Sequence, residues 1–155
     1  MMEEMMETIV PQEDFDRNEQ KYLRELELDG RASVEAKFGY ALCLVRCAHK
    51  QDIAKGIELL EDLMEHHSEG RRDYLYYLAL GEARMKNYDR ALQYCKAFLE
   101  IEENPQVRSL EECIQKRYDK DLRKGMAVAG GAVLVLGGIL GLGIALAKNK
   151  NRRDK

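Results

Sequence analysis

Between residues 13 and 122 apolar side chains recur every three or four positions and never alternate singly over a strand's length, so the pattern predicts helices and no sheet. The first helix spans 13–28, with Phe15, Tyr22, Leu23 and Leu26 on its inner side. A second, 33–48, steps through Phe38, Ala41, Leu42 and Val45, and a third, 52–66, through Ile53, Ile57, Leu60 and Leu63 or Met64. The fourth and fifth take 72–86 and 88–101. Asn104 can cap a sixth, and Pro105 has the fixed φ that suits a first turn. That helix runs to about residue 122 with Val107, Leu110, Ile114 and Tyr118 inward. Six helices joined by short turns make an all-α array.

The pattern then changes. Residues 126–147 are 22 positions without a charge, ten of them Leu, Ile or Val and six Gly. Lys120, Arg123 and Lys124 precede the run, and Lys148, Lys150, Arg152, Arg153 and Lys155 follow it. A helix of that length covers roughly 33 Å, about one hydrocarbon core. The expectation is one C-terminal transmembrane helix at 126–147 with a basic targeting tail at 148–155. A domain at 11–122 and an N-terminal arm at 1–10 then lie together on one side of a membrane. The opening MMEEMMETIV is acidic and has neither a basic leader nor a continuous apolar stretch, so it reads as no secretory signal or transit peptide, and the domain is expected to face the cytosol. A short, moderately apolar tail with a basic end is similar to the tail signals of mitochondrial and peroxisomal outer surfaces.

Charge narrows the partners. The net charge is −3, and because the residues after Ala147 contribute +4 the remainder carries −7. Nucleic acid is a poor match for so acidic a domain. Cys43, Cys47, Cys95 and Cys113 form no C-x-x-C pair and read as small core residues with free thiols. His66 and His67 end a helix, where imidazolium favours the dipole. No phosphate loop, metalloprotease helix or nucleophile triad is present. Neither catalysis, cofactor nor metal is expected.

The inner four helices repeat. Gly56-Ile57-Glu58-Leu59-Leu60-Glu61-Asp62-Leu63 matches Ala91-Leu92-Gln93-Tyr94-Cys95-Lys96-Ala97-Phe98 at an offset of 35. A period near 34 with two helices per unit is the tetratricopeptide period. The second unit reads Tyr77-x-x-Leu80-Gly81, Tyr88-x-x-Ala91, Pro105. Gly81 permits close approach of a neighbouring helix, and Gly56 or Ala91 removes bulk where the two helices of a unit cross. In the first unit Phe38 stands where Trp is usual. The expected architecture is two tetratricopeptide-like hairpins between two capping helices.

The whole chain resembles the mitochondrial fission 1 protein family. The likeness is sharpest in Phe38-Gly39-Tyr40-Ala41-Leu42-Cys43-Leu44-Val45-Arg46, and it continues through residues 52–61, Arg72-Asp73-Tyr74-Leu75-Tyr76-Tyr77-Leu78-Ala79-Leu80-Gly81 and Tyr88-Asp89-Arg90-Ala91-Leu92. The resemblance implies a six-helix domain on the cytosolic face of the mitochondrial outer membrane and of peroxisomes. It also implies an adaptor that recruits a dynamin-related GTPase, directly or through other adaptors, for organelle division, and contact with Rab GTPase-activating proteins. It implies no catalysis. The alternative is a tail-anchored tetratricopeptide receptor for chaperone-bound or imported proteins; the Lys and Asn of a carboxylate clamp are missing.

Such arrays bind peptides or helices along the first helix of each unit. Carrying over the motif spacing, that groove is lined by Gly39, Cys43 and Arg46 and by Leu75, Leu78, Glu82 and Met85. It suits an amphipathic helix or an apolar strip. Spacing leaves open whether Leu75, Leu78 and Met85 are groove or core. In the arm, Met2, Met5, Met6 and Ile9 fall on one stripe, and methionine adapts to irregular apolar surfaces. The arm either lies in the groove and competes with partners or is a disordered terminus. Gly137-x-x-x-Gly141 matches a transmembrane contact motif, which leaves a homo-oligomer open.

Overall fold

Short-range signals set the helix ends. In the computed structural model, which describes residues 1–128, α1 is Met2–Glu7, α2 Gln12–Asp29, α3 Val34–Val45 and α4 Lys50–His66. A single 3₁₀ turn at Ser68–Gly70 leads into α5, Arg71–Arg84, followed by α6, Tyr88–Ile101, and α7, Pro105–Val128. Gly30 closes α2 in the left-handed region, φ 75°, where its N–H reaches Leu26 O and a side chain would be strained. Ser33 caps α3 through its hydroxyl, which accepts from Ala36 N at 3.1 Å. Asn104 caps α7, accepting from Gln106 N at 2.8 Å and Val107 N at 3.3 Å.

The fold is all-α, as the spacing predicts: no strand occurs among the described residues, and α2 to α7 are the six expected helices. The second is shorter than its pattern, because the chain turns at Arg46. The seventh helix, α1, lies in the arm. Among the described residues no helix is long and apolar enough to cross a membrane. Apart from the end of α7, the expected span at 126–147 and the basic tail at 148–155 lie outside the described residues.

The chain divides into two compact units, Met1–Gln115 and Lys116–Lys155. In the first, α3 pairs with α4 and α5 with α6 as antiparallel hairpins, and α2 lies on α3. A cluster of Ala41, Val45, Ile53, Ile57, Leu60, Leu63, Tyr74 and Leu78 forms the core where α3, α4 and α5 meet. Phe38 fills the usual Trp place by packing edge-on to Tyr74 and Tyr77, with ring centroids 5.2 and 5.8 Å away. Gly56 sits at the α3–α4 crossing: a Cβ there would meet Leu44 Cβ and Val45 Cγ1 at 2.9 Å and Ala41 O at 3.0 Å. Ala91 is wholly buried. Gly81 faces Ile57, whose Cγ1 would lie 3.0 Å from an added Cβ.

Candidate functional site

The first helices of the two hairpins, α3 and α5, and the start of α7 share one face. It is assembled from Arg46 of α3's end, Tyr76, Tyr77 and Arg84 of α5, and Gln106 of α7. The Arg46 guanidinium lies over the Tyr77 ring, 5.9 Å from its centroid, a cation–π contact worth roughly 0.5–2 kcal/mol. Arg46 Nε is shut off from solvent and has no hydrogen-bond partner among the described residues. Tyr76 stands at 87° to Tyr77 with centroids 5.1 Å apart. Gln106 Nε2 donates to the Tyr76 hydroxyl at 3.2 Å, tying α7 to α5. Burial raises the Tyr76 phenol above its ordinary pKa, so it stays a neutral donor. Arg84 donates to Val45 O and ties α5 to α3.

The N-terminal arm is docked, not loose. Val10 N donates to Arg46 O at 3.1 Å, which fixes the arm's end at α3. Met6 is 1% exposed, and the Cys113 thiol meets its sulfur at 3.3 Å, so α1 also reaches α7. An apolar cavity of about 520 Å³ opens beside this seam between Met1, Met2, Met5 and Pro105, Gln106, Ser109. Of the expected stripe, Met6 is buried, Met2 and Met5 are half-buried, and Ile9 is exposed.

The residues expected to line the groove are not gathered on this face. Only Arg46 is there. Gly39 and Cys43 turn toward α2: an added Cβ on Gly39 would lie 2.6 Å from Asn18 Oδ1, and Cys43 Sγ is 3.8 Å from Asp14 O. Leu75 and Leu78 are buried, Leu78 within the core cluster, and Met85 packs partly buried against that cluster. Glu82, expected at the groove's edge, is 2% exposed; it accepts from Asn87 Nδ2 at 2.8 Å and lies 3.8 Å from Arg90 Nε. The correction is a rotation of the helix face. On α5 the side turned to α3 and α7 carries Tyr76, Tyr77 and Arg84, at i, i+1 and i+8, where the motif spacing had placed Leu75, Leu78, Glu82 and Met85. The available signal was the tyrosine pair itself, because tyrosine presents an apolar body and a polar tip at contact surfaces.

Family models described as the Fis1 N-terminal and Fis1 C-terminal tetratricopeptide repeats match residues 35–67 and 72–122, the two hairpins and the start of α7. The human mitochondrial fission 1 protein is 42% identical over 153 residues, covering 97% of this chain and 100% of its own length. The chain belongs to the mitochondrial fission 1 protein family. The yeast member Fis1, in its solution structure, superposes with a TM-score of 0.69 at 28% identity, covering 84% of this chain and 90% of its own. A crystal structure of yeast Fis1 in complex with an Mdv1 fragment, containing its N-terminal extension and coiled coil domains, also gives 0.69, at 23% identity over 78% of this chain and 94% of that one. At that identity the second likeness is one of fold. The matched ranges put α3–α4 in the N-terminal repeat and α5, α6 and α7 as far as residue 122 in the C-terminal one.

Proposed function

We propose that this chain is a fission adaptor held on the cytosolic surface of the mitochondrial outer membrane, and of peroxisomes, by residues 126–147. It binds and does not catalyse. Its binding surface is the face of α3, α5 and α7, and the ligand is an amphipathic helix or apolar strip of another fission adaptor, which in turn brings a dynamin-related GTPase. Family membership supports the role, and the solved complex of yeast Fis1 with an Mdv1 fragment supports the kind of partner. Rab GTPase-activating proteins are a further partner class on the same reading.

The observation that carries the assignment of the surface is α1 itself. A six-residue apolar-striped helix of the chain's own lies against α7 at its edge, with Met6 buried on Cys113 and the arm's Val10 bonded to Arg46 O. A surface that takes such a helix in cis takes one in trans by the same contacts. The arm then competes with partners, and partner binding requires it to lift. Half-buried Tyr76, Tyr77 and Arg46 give the face aromatic and guanidinium groups, the side chains that dominate binding energy at protein interfaces.

The reading is tested by placing the tagged full chain in cells. It should decorate mitochondria and shorten them, and removal of residues 125–155 should disperse it and abolish the effect. A chain that leaves mitochondrial shape unchanged at high expression, while correctly localised, would contradict the adaptor role.

A further inference from the structure

Arg46 is half-buried, and its Nε is sealed from solvent with no hydrogen-bond partner among the described residues. Nε is the one guanidinium nitrogen so placed, which leaves the outer nitrogens as the reachable end of the fork. The other cations of this face are already answered. Arg72 lies 3.3 Å from Glu102 and 3.6 Å from Asp73, and Arg84 donates to Val45 O. Arg46 has the Tyr77 ring, 5.9 Å from its charge, where the others have an oxygen. The ring attracts the cation through its quadrupole but brings no countercharge. Tyr77 also lines a cleft of about 330 Å³, together with Tyr76, Phe98 and Gln106. The uncompensated cation and the cleft therefore share one ring. Val10 N bonds to Arg46 O, so the arm's end lies at the same residue.

We propose that Arg46 is the receptor for one carboxylate of the bound partner helix, and that the helix's neighbouring turn enters the cleft beside Tyr77. The inference rests on the face of α3, α5 and α7 being the partner surface. A guanidinium stays charged and offers paired N–H donors that match the two oxygens of a carboxylate. Phosphate also fits such a fork, but the chain before Lys148 carries −7, a field that repels a dianion more than a single carboxylate. The same field disfavours helices that are acidic throughout, so recognition falls on one placed Asp or Glu. Helix residues three or four apart stand roughly 5–6 Å from each other, which matches the step from the Arg46 charge to the Tyr77 ring.

The test presents the full chain, in detergent micelles, to a phage-displayed library of amphipathic helices. Helices that bind should carry Asp or Glu at one fixed position, with an aromatic or aliphatic residue three or four places away. The tightest is made as a fluorescent peptide, with and without Gln in place of that carboxylate, and titrated against parent, Arg46→Gln and Tyr76→Ala. Arg46→Gln should weaken the carboxylate peptide by about tenfold or more, the size found for close charge pairs at interfaces, and leave its Gln version unchanged. Arg46→Lys keeps the charge without the fork and should recover only part of that loss, with circular dichroism as in the parent. Binders that need Tyr76 but share no carboxylate, or an equal effect of Arg46→Gln on both peptides, would overturn the inference and leave the surface standing. No recovered helix, or binding indifferent to Tyr76→Ala, would overturn the surface and the inference with it.

Discussion

Replacing Met6 by Ala isolates the contact that holds the arm down. Met6 is 1% exposed and meets Cys113 on α7. Burying a whole methionine side chain is worth about 1.5–3 kcal/mol. Truncations to alanine in cores cost about 2–5 kcal/mol, and the low end applies where the site can collapse, as a six-residue surface helix can. We therefore expect about 2 kcal/mol to be lost from arm docking, which at 1.4 kcal/mol per decade raises the opening equilibrium by roughly 30-fold. The reporter is the Val10 amide, whose N–H is bonded to Arg46 O only while the arm is down. Its hydrogen exchange should quicken by about that factor, because local opening sets the exchange of such amides. Amides of α4 and α5 should exchange as in the parent, since neither helix contributes to the Met6 contact. A Val10 rate within twofold of the parent would show that Met6 does not hold the arm. Equal acceleration throughout the domain would show that Met6 belongs to the global core.

Gly56→Leu should lower stability by roughly 1–3 kcal/mol through overpacking at the α3–α4 crossing, read as a fall in melting temperature; an unchanged melt would remove Gly56 from that crossing. Leu78→Asp should abolish the cooperative thermal transition, because its charge would sit in the core without a counter-ion, and a folded variant would return Leu78 to the surface. Burial pushes the thiols of Cys47 and Cys95 up to about 11 and about 12, so iodoacetamide at pH 8 should label both only after denaturation; labelling of the native chain would contradict their placement. The Lys37 hydrogen bond holds the Asp62 carboxyl below its ordinary pKa, so its stabilisation is present above the unfolded value near 3.9 and fades as pH falls through the lowered one. Asp62 is part-exposed, which keeps the effect below about 1 kcal/mol; Asp62→Asn should flatten the acid limb of the stability curve, and an unaltered limb would dismiss the pair.

Helix starts and crossings were legible because their signals are local. Asn104-Pro105 announces α7, and the small residue Gly56 marks the α3–α4 crossing without needing knowledge of the partner. The groove was not legible for a reason visible in α5. Tyr74, Leu75, Leu78, Ala79, Leu80, Gly81, Glu82 and Ala83 are all buried, so that helix has no polar stripe to identify its outside. Glu82 compounds the difficulty: a lone carboxylate reads as surface, yet here it is buried with Asn87 donating to it and Arg90 3.8 Å away. Gly39 and Cys43 read as groove because nothing in the sequence of α2 announces that it covers them. Docking of the arm depends on Met6 meeting a cysteine 107 residues away, a pairing that helical periodicity carries no information about.

The central claim is that a partner binds the face of α3, α5 and α7 and that the arm, held at Cys113 and at Arg46 O, competes with it. The direct measurement is a binding titration of a fluorescent fission-adaptor helix against three forms of the detergent-solubilised full chain: parent, a deletion of residues 1–10, and Tyr76→Ala in the deletion background. The account predicts about tenfold or more tighter binding on deleting the arm, and loss of that gain on removing Tyr76 with circular dichroism unchanged. Equal affinity for all three forms, or weaker binding on deleting the arm, would contradict it.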